Sequence, residues 1–121
     1  MGTSSMIGVY NEDGTVTATY CHYDGYVSYN GRLLFDSYNT PELAKAVANV
    51  GYLSGLKSDL YESVVEAVHT DKPVTYKSVK DYLDTGANFC GAEYLYLHDG
   101  MDWYFTDMDV KSFEEVETNL Q

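Results

Sequence analysis

The spacing of apolar and polar positions changes twice along the chain. From residue 15 to residue 20 the period is two: Val16, Ala18 and Tyr20 fall on one face of a strand and Thr15, Thr17 and Thr19 on the other, because successive strand side chains point to opposite faces. The apolar run at residues 6–10 precedes it, and Asn-Glu-Asp-Gly between them carries the residue types of a turn. Residues 6–22 are therefore predicted to form an antiparallel hairpin. The period then becomes helical. Residues 32–38 place Leu33, Leu34 and Tyr38 inward on a short helix. Thr40 and Pro41 form a start signal, since threonine caps a first turn and proline loses no hydrogen bond there. Leu43, Val47 and Val50 follow at i, i+4 and i+7, and Gly51 closes the helix. Ser58 is a cap for a third helix with Leu60, Val64 and Val68 along one stripe, and residues 74–86 read as a fourth with Val79, Tyr82 and Leu83.

Alternation returns at residues 93–108. Asp99-Gly100 is a strong two-residue turn signal between alternating runs. A turn centred there sets Tyr94 opposite Phe105, Tyr96 opposite Trp103 and His98 opposite Met101, all on one face, with Leu95, Leu97 and Tyr104 on the other. The second face is apolar enough to need a covering helix or to serve self-association. Residues 112–121 are predicted as a short acidic tail helix, and residues 1–5 as a disordered lead-in. Strands at both ends enclosing helices predict one α+β domain over residues 1–121. Its expected form is an antiparallel sheet from the N-terminal and C-terminal hairpins, with three to four helices packed on one face.

Composition sharpens this picture in two respects. The formal net charge of the 121 residues is −12, with nineteen acids against seven lysines and arginines. From residue 81 onward ten acids face Lys111 alone. Such a surface repels nucleic acid and anionic membranes, whose recognition needs lysine and arginine. Such charge either serves solubility alone or suits a basic protein surface, in which case Asp102, Asp107, Asp109, Glu114 and Glu115 are the candidate partner-binding residues. No apolar run reaches the ~20 residues of a membrane span, so the expected compartment is the cytoplasm.

The second respect is tyrosine, thirteen of eighteen aromatic residues. Four tyrosines crowd into Thr-Ala-Thr-Tyr-Cys-His-Tyr-Asp-Gly-Tyr-Val-Ser-Tyr-Asn-Gly, residues 17–31. Tyrosine joins a broad apolar ring to a polar tip. Tyr20, His22, Tyr23, Asp24, Tyr26 and the sole arginine, Arg32, are candidate ligand-binding residues for a small planar or phosphorylated molecule. Arg32 can equally pair with Asp36 one helical turn on. Cys21 and His22 are neighbours on a strand and point apart, so they do not read as a thiol and its base. His22 and Asp24 share a face and could orient an imidazole for proton transfer, or could fix the strand end. Two cysteines are too few for a disulfide scaffold or a four-thiolate zinc site. No metal or cofactor is expected.

The stretches at residues 6–56 and 92–105 resemble a group of small, mostly uncharacterised bacteriophage proteins. These carry a hairpin ending in Tyr-Cys-His-aromatic-Asp-Gly-Tyr, then leucines, and a closing strand pair with a tryptophan. Here the motif is Tyr20-Cys21-His22-Tyr23-Asp24-Gly25-Tyr26, with Val27 where the group often has proline. The resemblance implies phage origin and a small accessory role in the host cytoplasm. It brings no activity with it. The resulting expectation is a non-catalytic binder or inhibitor of a host protein, one that mimics nucleic acid and acts against host defence. A nucleotide-sequestering pocket is the alternative, and an enzyme using His22 and Asp24 the third reading.

Overall fold

A computed structural model of the chain describes residues 3–65, 72–88, 91–107 and 112–120. Both expected hairpins form. β1 (Ser5–Tyr10) pairs antiparallel with β2 (Val16–Cys21), and β5 (Tyr94–His98) with β6 (Trp103–Asp107). The architecture is α+β, with strands toward both ends and helices in the middle. The sheet is mixed, whereas alternation alone predicted an antiparallel one. The two hairpins join through β1 and β5, which run parallel with Ser5 beside Tyr94 and Val9 beside His98. A parallel pairing needs a long crossover, and the helical middle of the chain supplies it.

Two short strands line the outer side of β2. β3 (Tyr52–Leu53) pairs parallel with it, and β4 (Val74–Tyr76) pairs antiparallel further along. Residues 74–76 were expected as the start of a helix. Val, Thr and Tyr suit a pleated surface, and the free edge of β2 takes them. The helix, α4 (Val79–Thr85), starts only after Ser78, whose side chain accepts from the Asp81 amide. The tail is helical only in its last described turn. β7 (Glu114–Glu115) adds to β6, and a 3-10 turn follows over Glu117–Leu120. Val116, fully buried, fixes this end to the core.

Helices cover both faces of the sheet, which corrects the expectation of one. α1 (Arg32–Ser37) and α2 (Pro41–Ala48) pack with Ile7, Val9, Cys21, Tyr96, Trp103 and Phe105. On the other face Tyr82 of α4 packs with Met6, Val16, Ala18, Leu95 and Leu97. Its hydroxyl donates to the main-chain oxygen of Tyr96 at 2.7 Å and shares that proton with the Met6 oxygen at 3.2 Å, bridging β1 and β5. The apolar second face of the C-terminal hairpin is thus covered within the chain. On α2 the buried stripe is Ala44, Val47 and Ala48, and Leu43 is exposed. In α3 (Leu60–Val65) Asp59, rather than Ser58, bonds the first-turn amide of Tyr61. Ser63 turns inward, and Val64 is exposed. Val68 lies outside the described residues. The lead-in also belongs to the fold: Ser4 and Ser5 are buried.

Candidate functional site

The tyrosine-rich stretch begins where β2 ends. Strand alternation sends Tyr20 into the α4-side core and Cys21 into the α1-side core. The Tyr20 hydroxyl lies 3.0 Å from His22 Nδ1, and the His22 ring meets Tyr23 edge-on at 4.4 Å. Asp24 takes a left-handed conformation, φ 60°, which aspartate tolerates better than most residues. Its main-chain oxygen accepts from the Asn30 amide. The chain then runs through a π-helical turn, Val27–Gly31, directly into α1.

Gly25 is the pivot of this corner. Its amide donates to the Thr3 oxygen at 2.7 Å, and its own oxygen accepts from the buried Tyr96 hydroxyl at 2.6 Å. A Cβ here would stand 2.9 Å from the Thr3 and Ser4 oxygens and from Ser5 Cβ, so only glycine fits. Asn30, fully buried, extends its Nδ2 toward Ser5 Oγ and Cys21 Sγ. The Cys21 thiol points to the Tyr23 oxygen, and burial pushes it up to about 11. It is a protonated packing group at neutral pH.

The predicted ligand-binding set therefore does not assemble as one rim. Tyr20 is buried and bonded to His22. Arg32 sits 3.7 Å from Asp36 and donates to the Leu120 oxygen, tying α1 to the tail. Tyr23, Tyr26 and Tyr29 remain 39–48% exposed. Tyr26 reaches Asp24 with its hydroxyl at 3.4 Å. Tyr23, Asp24 and Tyr29 line a cleft of about 290 Å³ with Leu56 and Lys57 on its far side. Among the described residues, no group of three or more His, Cys, Asp or Glu side chains is placed to hold a metal.

The acidic residues gather differently. The hairpin loop spans four residues, not the expected two, so His98 faces Trp103 and Tyr96 faces Phe105. The register is shifted by two, which keeps every face assignment except Met101, left 85% exposed at the loop tip. Asp99 causes the shift. Its Oδ1 accepts from the Met101 and Asp102 amides and holds the wider loop. Inside the loop a chain of bonds is fully oriented. The Gly100 amide donates to His98 Nδ1, so Nε2 carries the proton and donates to Asn39 Oδ1. Asn39 Nδ2 in turn donates to Asp102 Oδ1. Burial lowers the His98 pKa, against the pull of Asp99 and Asp102.

On the surface above, Tyr104 reports the field. Its hydroxyl is held above its ordinary range, first by Asp99, then by partial burial, Glu115 and Asp102. Glu115 lies across from Tyr104 on β7, and Glu114 across from Phe105, so these two exposed side chains leave opposite faces. Of the predicted partner-binding residues, Asp102 and Glu115 come together, with Asp99 as the member not anticipated. Asp107 is half-buried at the far end of β6, and Asp109 lies outside the described residues. Among the described residues, no lysine or arginine pairs with Asp99, Asp102, Glu114 or Glu115; the ion pairs of Arg32 with Asp36 and Lys80 with Asp84 lie on helices.

These features define a small α+β domain with one inward-wired corner and one acidic hairpin edge. Comparison with protein-family models, with curated proteins and with solved structures returned no match for the chain. No helix among the described residues is long and apolar enough to cross a membrane.

Proposed function

We propose that this chain is a non-catalytic binding protein that engages a basic partner through its β5–β6–β7 edge. One observation carries the reading: Asp99 and Asp102 share one hairpin loop, Glu115 lies beside Tyr104 on the neighbouring strand, all three push the Tyr104 hydroxyl up, and no described lysine or arginine forms an ion pair with them. Like charges held together without an ion pair leave a field that a cationic partner relieves. A surface that normally grips nucleic acid has that character, and the carboxylates would stand where phosphates otherwise sit. A role for a phage accessory protein in blocking such a host protein, including one of host defence, accords with this, with the host cytoplasm as its place of action. Against a thiol or proton-transfer enzyme stand the protonated, buried Cys21 and the His22 ring spent on Tyr20 and Tyr23.

The test is displacement. A basic DNA-binding domain holding a fluorescent duplex is titrated with the chain at low salt. Release of the duplex, lost in an Asp102→Asn, Glu114→Gln, Glu115→Gln variant that keeps its fold, is the expected result. Equal release by that variant removes the reading.

A second reading rests on the 290 Å³ cleft at Tyr23, Asp24 and Tyr29, which has the rings to stack on a small planar ligand. Asp24 at its wall disfavours a phosphate there, and Lys57 favours one. A thermal-shift panel of nucleosides and nucleotides decides, since a ligand at ~100 times its Kd adds about 2.7 kcal/mol. No shift with any member excludes this alternative.

A further inference from the structure

The parallel strands β1 and β5 end side by side at Tyr10 and His98. Beyond that point the chain leaves β1 toward β2 on one side of the sheet and leaves β5 toward β6 on the other. In open α/β sheets the crevice past the carboxyl ends of diverging parallel strands is a favoured ligand site; here hairpins rather than crossover helices leave the two strands, and the likeness is one of position. At that position lies a groove of about 330 Å³ with Val9, Tyr10 and Pro41 as apolar walls, Glu12 and Asp99 as carboxylates and Lys45 as the single cation. His98 also lines it, with both ring nitrogens already engaged by Gly100 and Asn39. The imidazole therefore gives shape, not charge.

We propose that this groove receives one basic side chain of the partner, an arginine or lysine, as the anchor of the acidic edge. The inference rests on the proposed basic partner and adds where its side chain enters. Three features select that occupant. The groove carries two carboxylates against one ammonium, and Asp99 is shared with the acidic group around Tyr104. Its apolar walls match the methylene stem that lysine and arginine bury while their heads stay polar. The Tyr10 ring, 46% exposed, offers an aromatic face to a cation. Lys45 is the one group in the groove that opposes such an occupant. It forms no ion pair among the described residues. It acts as a competitor that any incoming cation must displace.

Lys45 fixes the sign of the test. The full chain is titrated with N-acetyl-arginine methylamide at low salt and followed by amide NMR shifts at Tyr10 and Gly100. N-acetyl-glutamate methylamide serves as the contrasting probe. The expected result is saturable shifts with the arginine probe alone. Glu12→Gln should weaken binding about two- to fivefold and Lys45→Gln strengthen it by a similar factor, the range for one exposed ion pair. Binding of the acidic probe, weakening by Lys45→Gln, or no saturable shift with either probe overturns the proposal. Duplex displacement by the same chain separates the two levels. A silent groove in a chain that still displaces duplex defeats the anchor and spares the wider reading. A responsive groove in a chain that displaces nothing supports the anchor and defeats the wider reading.

Discussion

The corner at residues 20–31 and the edge at residues 98–115 make opposite use of polar chemistry. At the corner many polar groups are turned inward and paired, Tyr96 with Gly25, Gly25 with Thr3 and the Asn30 Nδ2 with Ser5 and Cys21, while Asn30 Oδ1 is buried without a hydrogen-bond partner among the described residues and the Tyr23, Tyr26 and Tyr29 rings stay exposed. At the edge the carboxylates Asp99, Asp102 and Glu115 gather near Tyr104, and no described lysine or arginine forms an ion pair with them. Part of the corner's dense run of reactive residue types is thus tied into the fold. Charge is what distinguishes the two: Asp99 and Asp102 accept hydrogen bonds within the loop but form no ion pair among the described residues, and an exposed charge is tolerated without one.

The largest effect separating the regions is chemical. With Cys90 changed to serine, Cys21 of the folded chain should react with a thiol reagent at pH 7.5 at least ~100-fold slower than a free thiol, because only the thiolate attacks. Burial has moved the Cys21 thiol to about 11. Reaction at the free-thiol rate in the native state would mean the corner is open, and a nucleophile there would have to be reconsidered.

Next come two changes at the pivot. Gly25→Ala forces a Cβ against three atoms at 2.9 Å, two of them main-chain oxygens that cannot swing aside. Overpacking of this kind costs about 1–3 kcal/mol. Tyr96→Phe leaves the buried Gly25 oxygen without its donor, a loss of similar size, about 1–3 kcal/mol. Urea unfolding measures both. Wild-type midpoints in both variants would show that the corner is not wired as described.

The sequence made parts of this legible and hid others for a physical reason. Both hairpins and the α2 start at Thr40-Pro41 were plain, because their causes are local. So were the face assignments of Tyr94, Tyr96 and Trp103. The β1–β5 parallel join was not, since no local pattern states which strands meet across a long crossover. The Tyr10–His98 groove was hidden with it. The two-residue slip of the second hairpin came from reading Asp99-Gly100 as a turn dipeptide, when the Asp99 side chain bonds ahead to residues 101 and 102. Tyr20, His22 and Arg32 do not share one rim, because proximity in sequence does not state which side of a strand meets the core.

A smaller effect lies under the edge itself. His98 folds neutral, and burial sets its pKa below the ordinary 6.5. The unfolded chain therefore binds that proton first as pH falls. The stability His98 supports is complete above about 6.5 and is lost as pH drops from there through the depressed folded value. Protonated Nδ1 would face the Gly100 amide donor to donor, so the loop holding Asp99 and Asp102 should loosen in the same window. Comparing unfolding free energies at pH 7.5 and 5 in wild type and His98→Gln isolates this from His22 and His69. A wild-type slope no steeper than the variant's would contradict the neutral assignment. The Asp13 carboxyl, held down by bonds from Thr15, acts only below its ordinary 3.8 and does not overlap.

The smallest expected effect is the most diagnostic for the contrast. Glu114→Gln with Glu115→Gln removes two exposed charges that bond nothing described through their carboxylates. Exposed substitutions of this kind stay within about 0.5 kcal/mol, and removing like charge from a chain at −12 should favour the folded state slightly. Stability unchanged or a little raised, alongside weakened duplex displacement, is the signature of residues kept for a partner. A clear loss of stability would instead make β7 a strut for β6, with the carboxylates serving the fold as the tyrosine corner does.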